Sequence, residues 1–194
     1  TFTPIRWVSG CIEILDQTKL PNQEIYLELT THQQVVEAIS QMRVRGAPAI
    51  GVLAAYGMAL AGRHLLGTST ETSLRDLNAA YVDLALSRPT AVNLRWALDR
   101  MMGVARNAVQ EDDLGMSLLM EAKSIHGETL ESDLNIGSFG ADLIDHGSRV
   151  LTHCNTGVLA TGGFGTALGV IKTAWVQGKI KEIIATETRP RLQG

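Results

Sequence analysis

Cys154 stands at the mouth of a glycine-rich run, and no other stretch of the chain pairs a nucleophile with a built anion site so closely. The run goes from Val150 to Gly169, with glycines at 157, 162, 163 and 165. Ser148 to Thr152 reads as a short buried strand and Phe164 to Gln177 has the apolar spacing of a helix, so the loop lies at a strand's carboxyl end. Ligands collect there in open α/β sheets. Glycines let backbone N–H groups approach a ligand, and the start of the following helix favours an anion. Three readings of the stretch compete. One is a structural thiol in a Gly-rich turn. Another is a dinucleotide fingerprint with Glu187 on the ribose, but Gly163-x-Gly165-x-x-x-Gly169 misses that spacing by a residue. The third is a sugar-phosphate pocket in which Cys154 acts as acid or base, a use favoured for thiols near helix N-termini. His153 is adjacent, but neighbours on an extended chain point to opposite faces, so the two are not expected to form a dyad. His153 is expected to pack or hydrogen-bond behind the loop.

A second anion site is suggested by Arg45-Gly46-Ala47-Pro48. Proline suits the first helical position, where its missing N–H would be unpaired anyway, so a helix begins here just after an arginine and a glycine. The alternative is that Arg45 only ends the preceding helix and pairs with a nearby acid. Arg95 lies in the first turns of a later helix, where its charge opposes the dipole. It is either solvated or paired with an anion from elsewhere.

The elements that must hold these groups follow from periodicity. Ile5 to Val8, Cys11 to Leu15 and Ile25 to Leu29 form a small antiparallel sheet. Cys11 reads there as a small apolar residue. Thr30 or Thr31 caps a helix over His32 to Met42. The helix from Pro48 to about Leu65 is apolar nearly all round and should be central. Helices follow over Glu71 to Ser87, ended by Arg88-Pro89, and from Ala91, capped by Thr90, to Val109. Asp112 or Asp113 opens a long helical region to about Asp145, with an interruption expected between Asn135 and Gly140. Beyond Gly147 the pattern becomes strand, loop, helix, and a second strand over Glu182 to Thr186. The fold class is α/β: a helical N-terminal domain with a small sheet over residues 1–146, then the first βαβ unit of a Rossmann-like domain, incomplete, over 147–194.

Composition narrows the function. The chain has 194 residues, 45% hydrophobic and 19% charged, which is enough to build a core. A net charge of −3 with no basic cluster speaks against nucleic acid. Two cysteines make no disulfide framework, and a reducing, cytoplasmic setting is expected. The most apolar segment, Ala47 to Gly62, is shorter than the ~20 residues that span a bilayer. Thr1 to Arg6 lacks the order of a signal peptide. His32, His64, His126 and His146 show no metal-ligand spacing and read as surface or capping residues.

Four motifs occur in a telling order: Arg45-Gly46-Ala47-Pro48, Pro89 to Trp96, Thr152-His153-Cys154-Asn155-Thr156-Gly157, and Glu187-Thr188-Arg189-Pro190-Arg191-Leu192-Gln193-Gly194. Together they resemble the methylthioribose-1-phosphate isomerases of methionine salvage. Ribose-1,5-bisphosphate isomerases and the regulatory subunits of a translation initiation exchange factor share that fold. The resemblance implies a cytoplasmic homodimer that turns an aldose 1-phosphate into a ketose 1-phosphate without a cofactor or metal. It also implies Cys154 as a catalytic residue and Arg45, Gly46, Ala47, Arg95 and Gln193 as substrate-binding residues. In that family a catalytic aspartate and an Asn-Lys pair lie beyond the second strand of the C-terminal domain. The chain stops before them, so a C-terminal segment is expected to be missing and the 194 residues alone to be inactive.

Overall fold

The computed structural model describes residues 3–63, 65, 68–108 and 113–189. Strands β1 (Ile5–Val8), β2 (Cys11–Leu15) and β3 (Tyr26–Leu29) form an antiparallel meander in that order. Ile5 faces Ile14, Trp7 faces Ile12, and Ile14 faces Leu27. The alternation of the sequence thus sends Ile5, Ile12 and Ile14 inward, where each is fully buried. Helix α1 (His32–Ser40) opens with a capping box. The Thr31 hydroxyl accepts from the Gln34 N–H, and the Gln34 side chain accepts from the Thr31 N–H.

Helix α2 (Ala47–Gly62) is buried on every face and packs against α1, α3 (Thr70–Ser87), α4 (Val92–Ala108), α5 (Leu114–Asp142) and β1. Its near-uniform apolarity places it at the centre, and its ring of amphipathic neighbours supplies the solvent face. Fully buried side chains such as Leu53, Leu60, Leu77 and Leu94 each contribute about 1.5–3 kcal/mol of transfer free energy. Ser69 caps α3 and Asp113 caps α5 through their side-chain oxygens. Among the described residues, no helix is long and apolar enough to cross a membrane.

Helix α5 runs without a break to Asp142, through the Asn135 to Gly140 stretch where an interruption is expected from sequence. The glycines there serve packing. A Cβ at Gly137 would lie 2.9 Å from the Phe164 ring, and one at Gly140 would lie 2.5 Å from Val170 Cγ2. They let helix α6 (Ala167–Val176) settle closely on α5. Strands β4 (Ser148–Thr152) and β5 (Ile180–Ala185) then pair in parallel, Val150 facing Ile183. Ala141, Ile171, Ala174 and Ile180 form a small second core between α5, α6 and this sheet.

Helix α6 begins later than its apolar spacing suggests. Gly165 sits at φ +100° and Thr166 is also non-helical, so the Gly-rich loop extends to Thr166. Strand β5 begins earlier than expected because Ile180, already buried, belongs to the ladder with Ser148.

Candidate active site

Cys154 and Arg45 line one cavity of about 540 Å³, although 109 positions separate them in sequence. Its walls come from three places: the segment after β2, including Gln17 and Pro21; Arg45 just ahead of α2; and the loop that leaves β4 at Cys154. Ala185, at the end of β5, closes it. The cavity therefore sits at the carboxyl ends of the parallel strands, where the sheet geometry leaves a crevice.

Cys154 is a free, exposed thiol whose own backbone sits at φ +67°. That left-handed conformation costs a non-glycine residue about 1–3 kcal/mol, and Cys154 adopts it in the cavity wall, whereas Ser9 and Met42 adopt it in turns. His153 turns away, its Nδ1 lying 2.8 Å from the Thr186 hydroxyl at the end of β5. The imidazole is thus held by Thr186, and the two adjacent side chains form no dyad.

The loop after Cys154 is held largely by side chains from the N-terminal region. Gln17 Nε2 donates to the Leu159 carbonyl at 2.8 Å. His126 Nε2 donates to the Gly162 carbonyl at 2.9 Å, since a carbonyl can only accept, and its Nδ1 meets the Tyr56 hydroxyl at 3.1 Å. Burial pushes the Tyr56 phenol up to about 12, so it remains a donor. Asp133, 3% exposed, accepts the Gly165 N–H through Oδ2, as does the Thr161 hydroxyl. Thr156 O accepts from both Thr166 and Leu168. His126 is therefore a strut between helix and loop, and the surface or capping role expected from sequence is replaced. Nothing in the spacing of Gln17, His126 or Asp133 marks them, because each acts on a backbone group distant in the chain.

Arg45 is 6% exposed and donates from Nη2 to the Gln17 carbonyl at 2.7 Å. It also borders a second cleft of about 420 Å³ with Gly46, Ala47, Thr90 and Asn93. Gly46 is the N-cap of α2, at φ +99°, and a Cβ there would lie 2.3 Å from the Ala160 carbonyl oxygen. Only glycine permits both that dihedral and that approach. The N-terminus of α2 has Pro48 in its first turn and no side-chain cap, a helix end of the kind that favours an anion. Arg45, Gly46 and Ala47 are thus grouped around one helix start. Arg95 is apart from them. It is exposed, lines neither cavity, and its Nη1 lies 3.2 Å from the Tyr81 hydroxyl, which itself donates to Asp99. Gln193 lies outside the described residues.

The segment bearing Gln17 is anchored by Asp16, which is 1% exposed. Burial pushes its carboxyl up, but hydrogen bonds from the Thr18 hydroxyl and N–H and from Arg43 outweigh this and bring it below the usual value.

The chain is similar to proteins of known description over nearly all its length. It is 46% identical over 192 residues to the methylthioribose-1-phosphate isomerase of Desulforamulus reducens, covering 98% of this chain and 56% of that protein. The corresponding protein of Syntrophotalea carbinolica is 49% identical over 193 residues, with the same shares. The chain thus spans little more than half the length of these relatives. Among solved structures, 5-methylthioribose 1-phosphate isomerase from Pyrococcus horikoshii superposes with a TM-score of 0.92 at 35% identity, over all of this chain and 55% of that one. Translation initiation factor eIF-2B subunit delta from A. fulgidus gives 0.87 at 39%, over all of this chain and 57% of that one. Residues 43–194 match the family described as the Initiation factor 2 subunit family, and the chain belongs to it.

Proposed function

We propose that the full-length protein is an aldose-ketose isomerase that converts 5-methylthioribose 1-phosphate into 5-methylthioribulose 1-phosphate, a step of methionine salvage. The observation that carries this reading is the shared cavity of Cys154 and Arg45 at the strands' carboxyl ends. The names of the relatives quoted above support the choice of substrate.

Phosphate on the anomeric oxygen prevents spontaneous ring opening, so a general acid must protonate the ring oxygen as the ring bond breaks. Hydrogen then passes from C2 to C1, with no net gain or loss of atoms. In this reading Arg45 and the N–H groups at Gly46 and Ala47 hold the phosphate, an arrangement suited to a dianion at a helix start. Cys154 acts at the sugar, either moving the proton or stabilising charge in the transition state. Arg95 and Gln193 join the substrate-binding residues on the strength of the motif resemblance. For Arg95 this requires the guanidinium to leave Tyr81. The protein acts in the cytoplasm as a homodimer, with the rest of the active site supplied by residues C-terminal to Gly194, as the greater length of the relatives supports.

A second reading, a regulatory subunit that senses a sugar phosphate or nucleotide without turnover, is favoured by the likeness to the A. fulgidus subunit. Incubating the full-length protein with methylthioribose 1-phosphate and following the ketose carbonyl by carbon NMR separates the two. Ketose formation is expected, and its absence with retained binding supports the regulatory reading.

A further inference from the structure

We propose that Gln17 is a positioning residue that sets the separation of Arg45 and the Cys154 loop across the cavity, an inference that rests on the isomerase reading of that site. Gln17 is 1% exposed and touches both sides. Its carbonyl accepts from Arg45 Nη2 at 2.7 Å, and its side-chain Nε2 donates to Leu159 O at 2.8 Å. The residue itself is fixed from behind. Its N–H donates to the Arg43 carbonyl at 2.9 Å, and the neighbouring Asp16 pairs with the Arg43 guanidinium. One residue therefore ties the start of α2 to the short turn Val158–Ala160, which directly follows the cavity wall at Gly157.

The amide's orientation follows from chemistry. Leu159 O can only accept, so Nε2 must face it, since the flipped amide would set two acceptor oxygens together. The remaining atom, Gln17 Oε1, is buried with no hydrogen-bond partner among the described residues. A buried amide oxygen without a donor costs stability that methionine, of similar volume, would not incur. Methionine would, however, leave Leu159 O without its donor, so what the glutamine supplies here is the hold on the loop. Any side-chain variant keeps the carbonyl that grips Arg45 and loses only the grip on the loop. Binding through the phosphate should then survive while alignment of the thiol with the sugar is lost.

The test uses full-length Gln17→Met and Gln17→Glu, the second keeping length and volume but unable to donate when ionised. Steady-state kinetics on methylthioribose 1-phosphate are expected to show kcat lowered by about 10–100-fold with KM within about threefold of wild type. Amide hydrogen exchange should quicken at residues 158–165 and stay unchanged in the core of α2. Wild-type kcat in either variant overturns the proposal. So does loss of exchange protection throughout the α2 core in both, which makes Gln17 a structural residue. If the wild type itself produces no ketose, the isomerase reading fails, and exchange at 158–165 still decides whether Gln17 holds the loop.

Discussion

Cys154 occupies a backbone conformation that its side chain makes unfavourable, φ +67°, so folding alone gives no reason for a cysteine there. A glycine would relax the backbone at some entropic cost. Cys154→Gly is therefore expected to unfold within about 1 kcal/mol of wild type in urea while losing turnover. A loss of several kcal/mol would mean that the thiol is a packing residue. Arg95 poses the opposite question, since its motif points to the substrate while its guanidinium lies on Tyr81. Arg95→Ala is expected to weaken substrate binding by about 1.5–3 kcal/mol, the usual worth of a charged hydrogen bond. An unchanged Kd by calorimetry would leave Arg95 as a partner of Tyr81 and Asp99 only. Cys154, Arg45, Gly46 and Ala47 were legible before the structure because each lies in a short motif at an element's end. Gln17, His126 and Asp133 were not, since a side chain that bonds a remote backbone group leaves no periodic or local trace.

The join between α2 and the Gly-rich loop depends on one missing side chain. Gly46 combines φ +99° with a contact on Ala160 that leaves no room for a methyl group. Gly46→Ala is expected to lose about 2 kcal/mol or more in thermal or denaturant unfolding, from strain and overpacking together. Near-wild-type stability would contradict a close contact of Gly46 with Ala160. The segment after β2 carries a pH dependence of known sign. Asp16 has its folded carboxyl lowered below 3.8, so its stabilisation is fully present above that value and is lost as pH falls through the folded pKa. Asp16→Asn should flatten the acid limb of the stability curve, and an unaltered acid limb would exclude Asp16, with its bonds from Thr18 and Arg43, as its source. Apolar periodicity was enough to predict α1 to α4 and both sheets, but it read Gly137 and Gly140 as a helix break. Their role depends on α6 packing across them, which no local pattern encodes.

The N-terminal region buries a full core around α2, whereas the βαβ unit leaves much apolar surface in water. Leu151 is 66% exposed, Trp175 55% and Val176 86%. A two-stranded parallel sheet is rarely stable without further strands and helices on both faces, and its open edge invites aggregation. Because the relatives are nearly twice as long, we expect the residues 1–194 expressed alone to be inactive and to lose the unit after Gly147 to protease first, while α1 to α4 survive. A protease-resistant and fully active product of that length would contradict this. The proposed isomerisation depends on Cys154 doing chemistry beside a phosphate held near Arg45. It is tested most directly by full-length Cys154→Ser against wild type, measuring ketose formation and, by calorimetry, affinity for methylthioribose 1-phosphate. Turnover is expected to be abolished with Kd within a few-fold of wild type; wild-type turnover in the serine variant would contradict a chemical role for the thiol.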